Sequence, residues 1–227
     1  PDYLAGTGAL GIMAPSSTDD YPPFKANYEA SVEEAYTAYL RQRESRGEYG
    51  MQNFGDTTFS WGWGPSYIFW SNQEYDHHYG FLMQYLRSGD VRFWQIGDQA
   101  ARHYRDVDVI HHSTNPLIMG APRSHNTKHV VADGWYPDHN LGGVAVHHAW
   151  AEGLWLHYLL TGDELTYEAA RGAADWYVAE VERDRWYRGG VERGPGWTMV
   201  ALMGSYRATS DEKYLRAAQV VADDVYL

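Results

Sequence analysis

Three stretches of this chain repeat one phrase, and a chain that repeats a helix–turn–helix phrase has few folds open to it. The first runs Gly80-Phe-Leu-Met-Gln-Tyr-Leu-Arg-Ser-Gly-Asp90 and continues through Asp98-Gln-Ala-Ala101. The second is Gly153-Leu-Trp-Leu-His-Tyr-Leu-Leu-Thr-Gly-Asp163, continuing through Ala169-Ala170 and Ala173-Ala174. The third is Leu202-Met-Gly-Ser-Tyr-Arg-Ala-Thr-Ser-Asp211, continuing through Ala217-Ala218. Each reads as an apolar helix, a tight turn and a second helix. Gly89 and Gly162 suit a helix C-terminus, because glycine turns left-handed without steric cost, and Asp90, Asp163 and Asp211 suit the N-cap that follows. The alanine pairs let the second helices pack closely. Hairpins recurring at about 50 residues point to an α/α solenoid or a closed toroid. The expected fold class is therefore all-α, an incomplete (α/α) toroid of helical hairpins with a long irregular insertion, and about seven helices, roughly half of a six-hairpin ring.

The turns stand 73 and then 48 residues apart, and the excess falls between Asp106 and Asn140. That segment holds Pro116, Pro122, Pro137 and five histidines. A long insertion between packed helices is usually functional or disordered, and the histidines favour function. Upstream, Ser31 to Arg46 reads as an amphipathic helix with Ser31 and Glu34 as a capping box. Residues 49–70, rich in glycine and aromatics, have no helical period and read as loop with a short strand. Residues 1–27 are Gly/Pro-rich and read as extended. The expected division is 1–30 as a linker or the end of a preceding domain, and 31–227 as a toroid domain belonging to a longer chain.

All eleven histidines lie between His77 and His157, six of them in the doublets His77-His78, His111-His112 and His147-His148. Imidazole titrates near neutral pH and serves as acid, base or metal ligand, so the middle of the chain is the expected seat of chemistry. A net charge of −12 repels nucleic acid, and no apolar run approaches the roughly 18 residues of a membrane span. The lack of cysteine excludes disulfides, thiolate catalysis and Cys-ligated zinc but leaves the compartment open.

Four clusters carry candidate chemistry. Asn53-Phe-Gly-Asp56 precedes Trp61-Gly-Trp63 on a Gly-rich loop, where indole faces suit the apolar face of a pyranose; the same rings would also serve to cap a core. Asn72-Gln-Glu-Tyr75-Asp76-His77-His78-Tyr79 sits where the first repeat's leading helix begins, and its acids would serve equally as helix caps. Arg123-Ser-His125-Asn-Thr-Lys128-His129 concentrates cations and imidazoles in an acidic chain. If helical, His125 and His129 share a face and are compatible with a divalent metal, but Asn126 stands where a zinc protease needs glutamate. The expectation is no cofactor, with that metal left open. The fourth cluster, His147-His148-Ala-Trp150-Ala-Glu152, opens the second repeat. His103 and His157, deeper in helices, read as structural.

A pocket of Arg, Lys, His and Tyr beside tryptophans suits an acidic sugar, and the matching reaction is β-elimination at a uronate. Arg123, Lys128 or Asn53 would neutralise the carboxylate and acidify C5–H. His125 or His129, with Tyr75 and His78 as second choices, would carry protons. Asn53, Asp56, Trp61, Trp63, Lys128 and His148 would hold the substrate.

Three strings then resemble a known family: Trp70-Ser-Asn-Gln-Glu-Tyr-Asp-His77-His78, Arg123-Ser-His125-Asn-Thr-Lys-His129-Val, and His148-Ala-Trp-Ala-Glu-Gly-Leu154 with its Leu160-Thr-Gly-Asp163 turn. Over residues 50–180 they look like the exo-rhamnogalacturonan lyase-like family, at its C-terminal α/α toroid domain. The resemblance implies a polysaccharide lyase acting on an acidic polysaccharide or oligosaccharide, β-domains elsewhere in the full-length chain, and a secreted or periplasmic location. Two other readings stand beside it: a glycoside hydrolase using two of Asp56, Glu74, Asp76 and Glu152, and a non-catalytic glycan-binding or scaffold toroid.

Overall fold

The computed structural model describes residues 1–18, 22–59, 69–124, 143–186 and 192–226. Among these are eight α-helices: α1 (Asp2–Thr7), α2 (Pro22–Arg46), α3 (His77–Ser88), α4 (Val91–His103), α5 (Glu152–Thr161), α6 (Glu164–Glu182), α7 (Arg193–Thr209) and α8 (Glu212–Tyr226). Two short strands, β1 (Thr58–Phe59) and β2 (Phe69–Trp70), pair antiparallel with Thr58 opposite Trp70. The fold is an α/α toroid segment in which α3–α4, α5–α6 and α7–α8 are the three hairpins.

The three turns are built from one set of bonds. Gly89, Gly162 and Ser210 all adopt left-handed φ, and their N–H groups donate to the carbonyls of Tyr85, Tyr158 and Tyr206 at 2.7, 2.7 and 2.8 Å. The hydroxyl one residue earlier, on Ser88, Thr161 or Thr209, donates back to the carbonyl four residues before it at 2.6–2.8 Å. The same oxygen accepts the N–H of Asp90, Asp163 or Asp211 at 3.1 Å. Each aspartate then caps the next helix, accepting from Arg92, Leu165 or Lys213 at 2.9–3.0 Å. Orphan groups at both helix ends are thereby satisfied within one short local segment, Gln84 to Arg92 in the first hairpin.

Leading helices pack on leading helices, α3 on α5 and α5 on α7, while α6 packs on α8. The main core lies between the layers, with Trp150, Leu154, Trp155, Tyr177 and Leu202 around the buried alanines Ala169, Ala170, Ala173, Ala174 and Ala218. A second core forms where Tyr39 of α2 meets Phe93 and Ile96 of α4.

The N-terminal quarter departs from expectation. Residues 1–27 contain α1 and the start of α2 rather than an extended run, and Ser31 with Glu34 lies inside α2 rather than capping it. Pro22 and Pro23 supply the start instead: at the first turn proline loses no needed N–H, and its fixed φ already suits a helix. The excursion after α4 begins with a π-helical turn, Tyr104–Asp108, and a 3₁₀ turn, Pro116–Ile118. It is pinned by bridges from Val109 to Pro122 and from Arg123 to Val144. No helix among the described residues is long and apolar enough to cross a membrane.

Candidate functional site

Between β2 and α3 the chain makes an unusual turn. Asn72, Gln73, Tyr75 and Asp76 all have positive φ, between 45° and 61°. Such a conformation costs an L-residue roughly 1–2 kcal/mol, so a run of four needs compensation from its surroundings. The Asp56 carboxylate accepts the N–H of Asn72 at 3.0 Å and of Gln73 at 3.3 Å. The Gln73 amide donates to the Gly55 carbonyl at 2.8 Å, and the Asn72 amide donates to the Ser124 carbonyl at 3.0 Å. The turn is thus tied on one side to the 53–56 loop and on the other to Ser124 within the insertion.

Asp76 closes the turn and joins two helices. One carboxylate oxygen accepts the Tyr79 N–H, capping α3, and the other accepts the Gly153 N–H of α5, both at 3.2 Å. The approach leaves no room for a side chain at Gly153: a Cβ there would stand 2.2 Å from the His78 ring and 2.4 Å from Asp76 Oδ1. Burial pushes the Asp76 carboxyl up to about 7 and holds His78 well below its usual value.

Three helix beginnings meet above this joint. Glu74, just before α3, accepts from His148 Nδ1 at 2.7 and 2.9 Å and from Arg193 Nη2, on the first residue of α7, at 2.9 Å. His148 itself ends a 3₁₀ turn, Val146–His148, ahead of α5. Because the carboxylate accepts at Nδ1, the basic lone pair of the neutral imidazole sits on Nε2. The Arg193 guanidinium lies over the Tyr75 ring at 5.3 Å. Tyr75 in turn touches Trp150 at 5.8 Å and Trp197 at 6.4 Å, and those indoles meet edge to face at 4.6 Å. Tyr75 is 59% exposed, so a phenol, an imidazole and a guanidinium share one rim with aromatic walls.

The segment carrying His148 is held from behind. Tyr177 of α6 donates its hydroxyl to the carbonyls of Val146 and Ala149, and the Tyr104 hydroxyl accepts the Trp150 N–H at 2.9 Å. Beneath the 53–56 loop, His103 Nδ1 donates to the Phe54 carbonyl and Nε2 lies 3.4 Å from Asp108. Burial alone would lower the His103 pKa, but Asp108 and Asp56 outweigh it and raise it. Burial raises Asp56 itself to about 7.

Of the residues singled out from sequence, the structure brings Tyr75 and His148 to this rim. His78 is corrected: it is 0% exposed, set between Asp76 and Tyr104, and cannot reach a substrate proton. Asp56 is corrected too, since at 1% exposure its carboxylate faces the backbone of 72–73 and cannot bind sugar. Asn53 sits partly buried in the turn below, its carbonyl accepting the Asp56 N–H. Arg123 is partly buried, its N–H donating to the Asp108 carbonyl and its charge acting on the Asp108 carboxyl. Trp61, Trp63, His125, Lys128 and His129 lie outside the described residues. His157 is structural as expected, bonded to Thr166 and Asp98. Among the described residues no three His, Asp or Glu side chains are grouped to hold a metal ion.

Arg193 and Trp197 were missed, and Glu74 was read as a capping acid or a hydrolase carboxylate, not as the partner of His148 and Arg193. The signal was there: Val-Glu-Arg193-Gly-Pro-Gly-Trp197 opens the third leading helix as the Tyr75 and His148 clusters open the first two.

Two comparisons bear on the fold. The family model for the PcRGLX-like protein C-terminal alpha/alpha toroid domain matches residues 1–134. "Uncharacterized protein YetA" of Bacillus subtilis (strain 168) is 24% identical over 236 residues, covering 95% of this chain and 26% of that relative. The chain thus spans about a quarter of that relative's length.

Proposed function

The chain belongs to the family of PcRGLX-like C-terminal α/α toroid domains, and from that membership we propose that its rim takes part in cleaving an acidic polysaccharide by β-elimination at a uronate. The observation that carries the reading is the Glu74–His148–Arg193 junction with Tyr75 beside it. A uronate carboxylate docked against Arg193 loses charge, which acidifies C5–H. His148 Nε2, oriented through Nδ1 by Glu74, accepts that proton; the C4–O4 bond breaks as the C4–C5 double bond forms, and Tyr75 protonates the departing O4. Trp197, part-exposed beside Tyr75, offers the face on which a sugar ring would stack, and the buried Trp150 backs it. His125 and His129 remain proposed proton carriers, next in sequence to Ser124, whose carbonyl the 72–76 turn grips.

The hydrolase alternative has less support. Inversion needs two carboxylates facing one bond across about 6.5–9.5 Å, whereas Asp56 and Asp76 are buried on backbone N–H groups, Glu74 holds His148 and Arg193, and Glu152 holds Arg207. Ultraviolet absorbance during digestion of pectic substrates separates the two, because only elimination makes a conjugated product. Wholly saturated products would overturn the lyase reading, and activity abolished by a chelator would recast the insertion histidines as ligands.

A further inference from the structure

The 72–76 turn presents Glu74 and Tyr75 to the rim from a backbone that four non-glycine residues hold left-handed. Nothing in that pentapeptide's own sequence stabilises such a run, since only Asn72 and Asp76 are residue types that visit this region with ease. What faces the turn from below is the Asp56 side chain, 1% exposed, with both oxygens directed at the two amides that begin the run. The Gln73 side chain reinforces it, donating to Asp56 Oδ1 at 3.3 Å and to the Gly55 carbonyl. Gly55, with φ of 102° and only 2.4 Å between a would-be Cβ and the Gln99 carbonyl, seats the Asp56 loop hard against α4.

We propose that Asp56 is a positioning residue: by accepting the Asn72 and Gln73 N–H groups it holds the left-handed turn, and so aims Glu74 at His148 and Arg193 and places Tyr75 against Trp150 and Trp197. This rests on the rim reading above for its consequence in turnover, but not for the geometry. The side chain is suited to the task because each of its two oxygens can accept one of the two converging N–H groups, which an amide, with its single oxygen, cannot match. It acts at a distance, touching no substrate.

The test has an arm that needs no mutation. In the intact wild-type chain, hydrogen exchange should find the Asn72 and Gln73 amides protected like those of buried helices; exchange as fast as in an exposed loop would overturn the proposal. Asp56→Ala should lower kcat about 10²-fold through misplaced groups with much less change in KM. It should also weaken the near-ultraviolet circular dichroism of the Tyr75–Trp150–Trp197 cluster, at unchanged far-ultraviolet helix content. Asp56→Asn, which keeps one acceptor, should retain more of both signals. Equal losses in the two variants, or full activity and an intact aromatic signal in Asp56→Ala, would refute it. If Asp56→Ala does not fold, amide exchange in the wild type decides. If the wild type yields no unsaturated product, the lyase reading fails, while amide exchange and the aromatic signal still decide the positioning role.

Discussion

The two ends of the leading helices obey opposite rules. At one end, the turns after α3, α5 and α7 repeat atom for atom, each with a left-handed residue, a back-bonded hydroxyl and an aspartate cap. At the other, the beginnings of the same helices differ: a strained turn precedes α3, a 3₁₀ turn precedes α5, and α7 starts at Arg193 without a side-chain cap from Glu192. Even the carboxylates behave oppositely. At the turns Asp90 is lowered by the Arg92 side chain, and Asp211 by the Lys213 N–H. Asp163, despite burial, is lowered by Arg105. At the beginnings, burial raises Asp56 and Asp76 to about 7. A repeated end is what stability alone asks for; the differentiated end, with its buried and costly carboxylates, is the end to which the proposed function is assigned.

The largest effect that would sharpen this contrast is on turnover. His148→Ala and Tyr75→Phe should each lower kcat by roughly 10²–10⁴ with thermal stability nearly unchanged; an Asp163→Ala control at the repeated end should leave kcat intact. Loss of activity in that control instead would break the division. Next, Gly153→Ala forces a methyl into the Asp76–His78 joint and should cost about 1–3 kcal/mol of unfolding free energy, read by urea titration. A neutral result would mean that α3 and α5 can move apart without penalty.

The pH dependence follows in size. Asp76 is a carboxyl raised on folding, so the native state holds a proton the unfolded chain has lost. Its contribution is complete below the unfolded pKa near 4 and is lost as pH rises to about 7. Wild-type stability should therefore fall across that window relative to Asp76→Asn, and level off above it. The turn aspartates, lowered on folding, lose their contribution only as pH falls below about 4. A parallel pH course for wild type and Asp76→Asn would remove Asp76 from the account. The smallest effect belongs to Ser210, the left-handed position at which the other two turns carry glycine. Ser210→Gly should raise stability by a few tenths to about 1 kcal/mol, relief of left-handed strain exceeding the added freedom of the unfolded chain. Destabilisation would show that the serine side chain contributes more than its backbone costs.

Legibility in the sequence divides along the same line. The turns were readable because glycine, hydroxyl and aspartate at fixed spacing act through local bonds, and local bonds leave a local signature. In the N-terminal quarter the helix expected over residues 31–46 is present and ends at Arg46, but α1 and the start of α2 on Pro22 were not legible, and the place of α2 comes from Tyr39 meeting Phe93 and Ile96 far along the chain. At the rim, Tyr75 and His148 stood out as residue types, but their partner Arg193 is 119 positions from Glu74, and no spacing rule reaches that far. His78 and Asp56 misled for a related reason. Titratable side chains on a loop or at a helix start look alike in sequence whether they face solvent or the interior, and the direction of each is settled by contacts distant in the chain, Asp56 with the Asn72 and Gln73 amides and His78 with Tyr104.

The phenols of Tyr104 and Tyr177 give this layout a further consequence. From the 3₁₀ turn to α5 the backbone carbonyls at 146 and 149 and the amide at 150 are fastened by side chains arriving from the trailing layer. The imidazole at 148 thus stands on a bracket bolted to the wall behind it, not on the helix it precedes. Slackening that wall, by shortening a side chain in α6 such as Tyr177→Phe, would let the bracket swing while every helix stayed folded. In such a protein the tolerance of the outer layer to change is set by how finely the inner rim must be aligned.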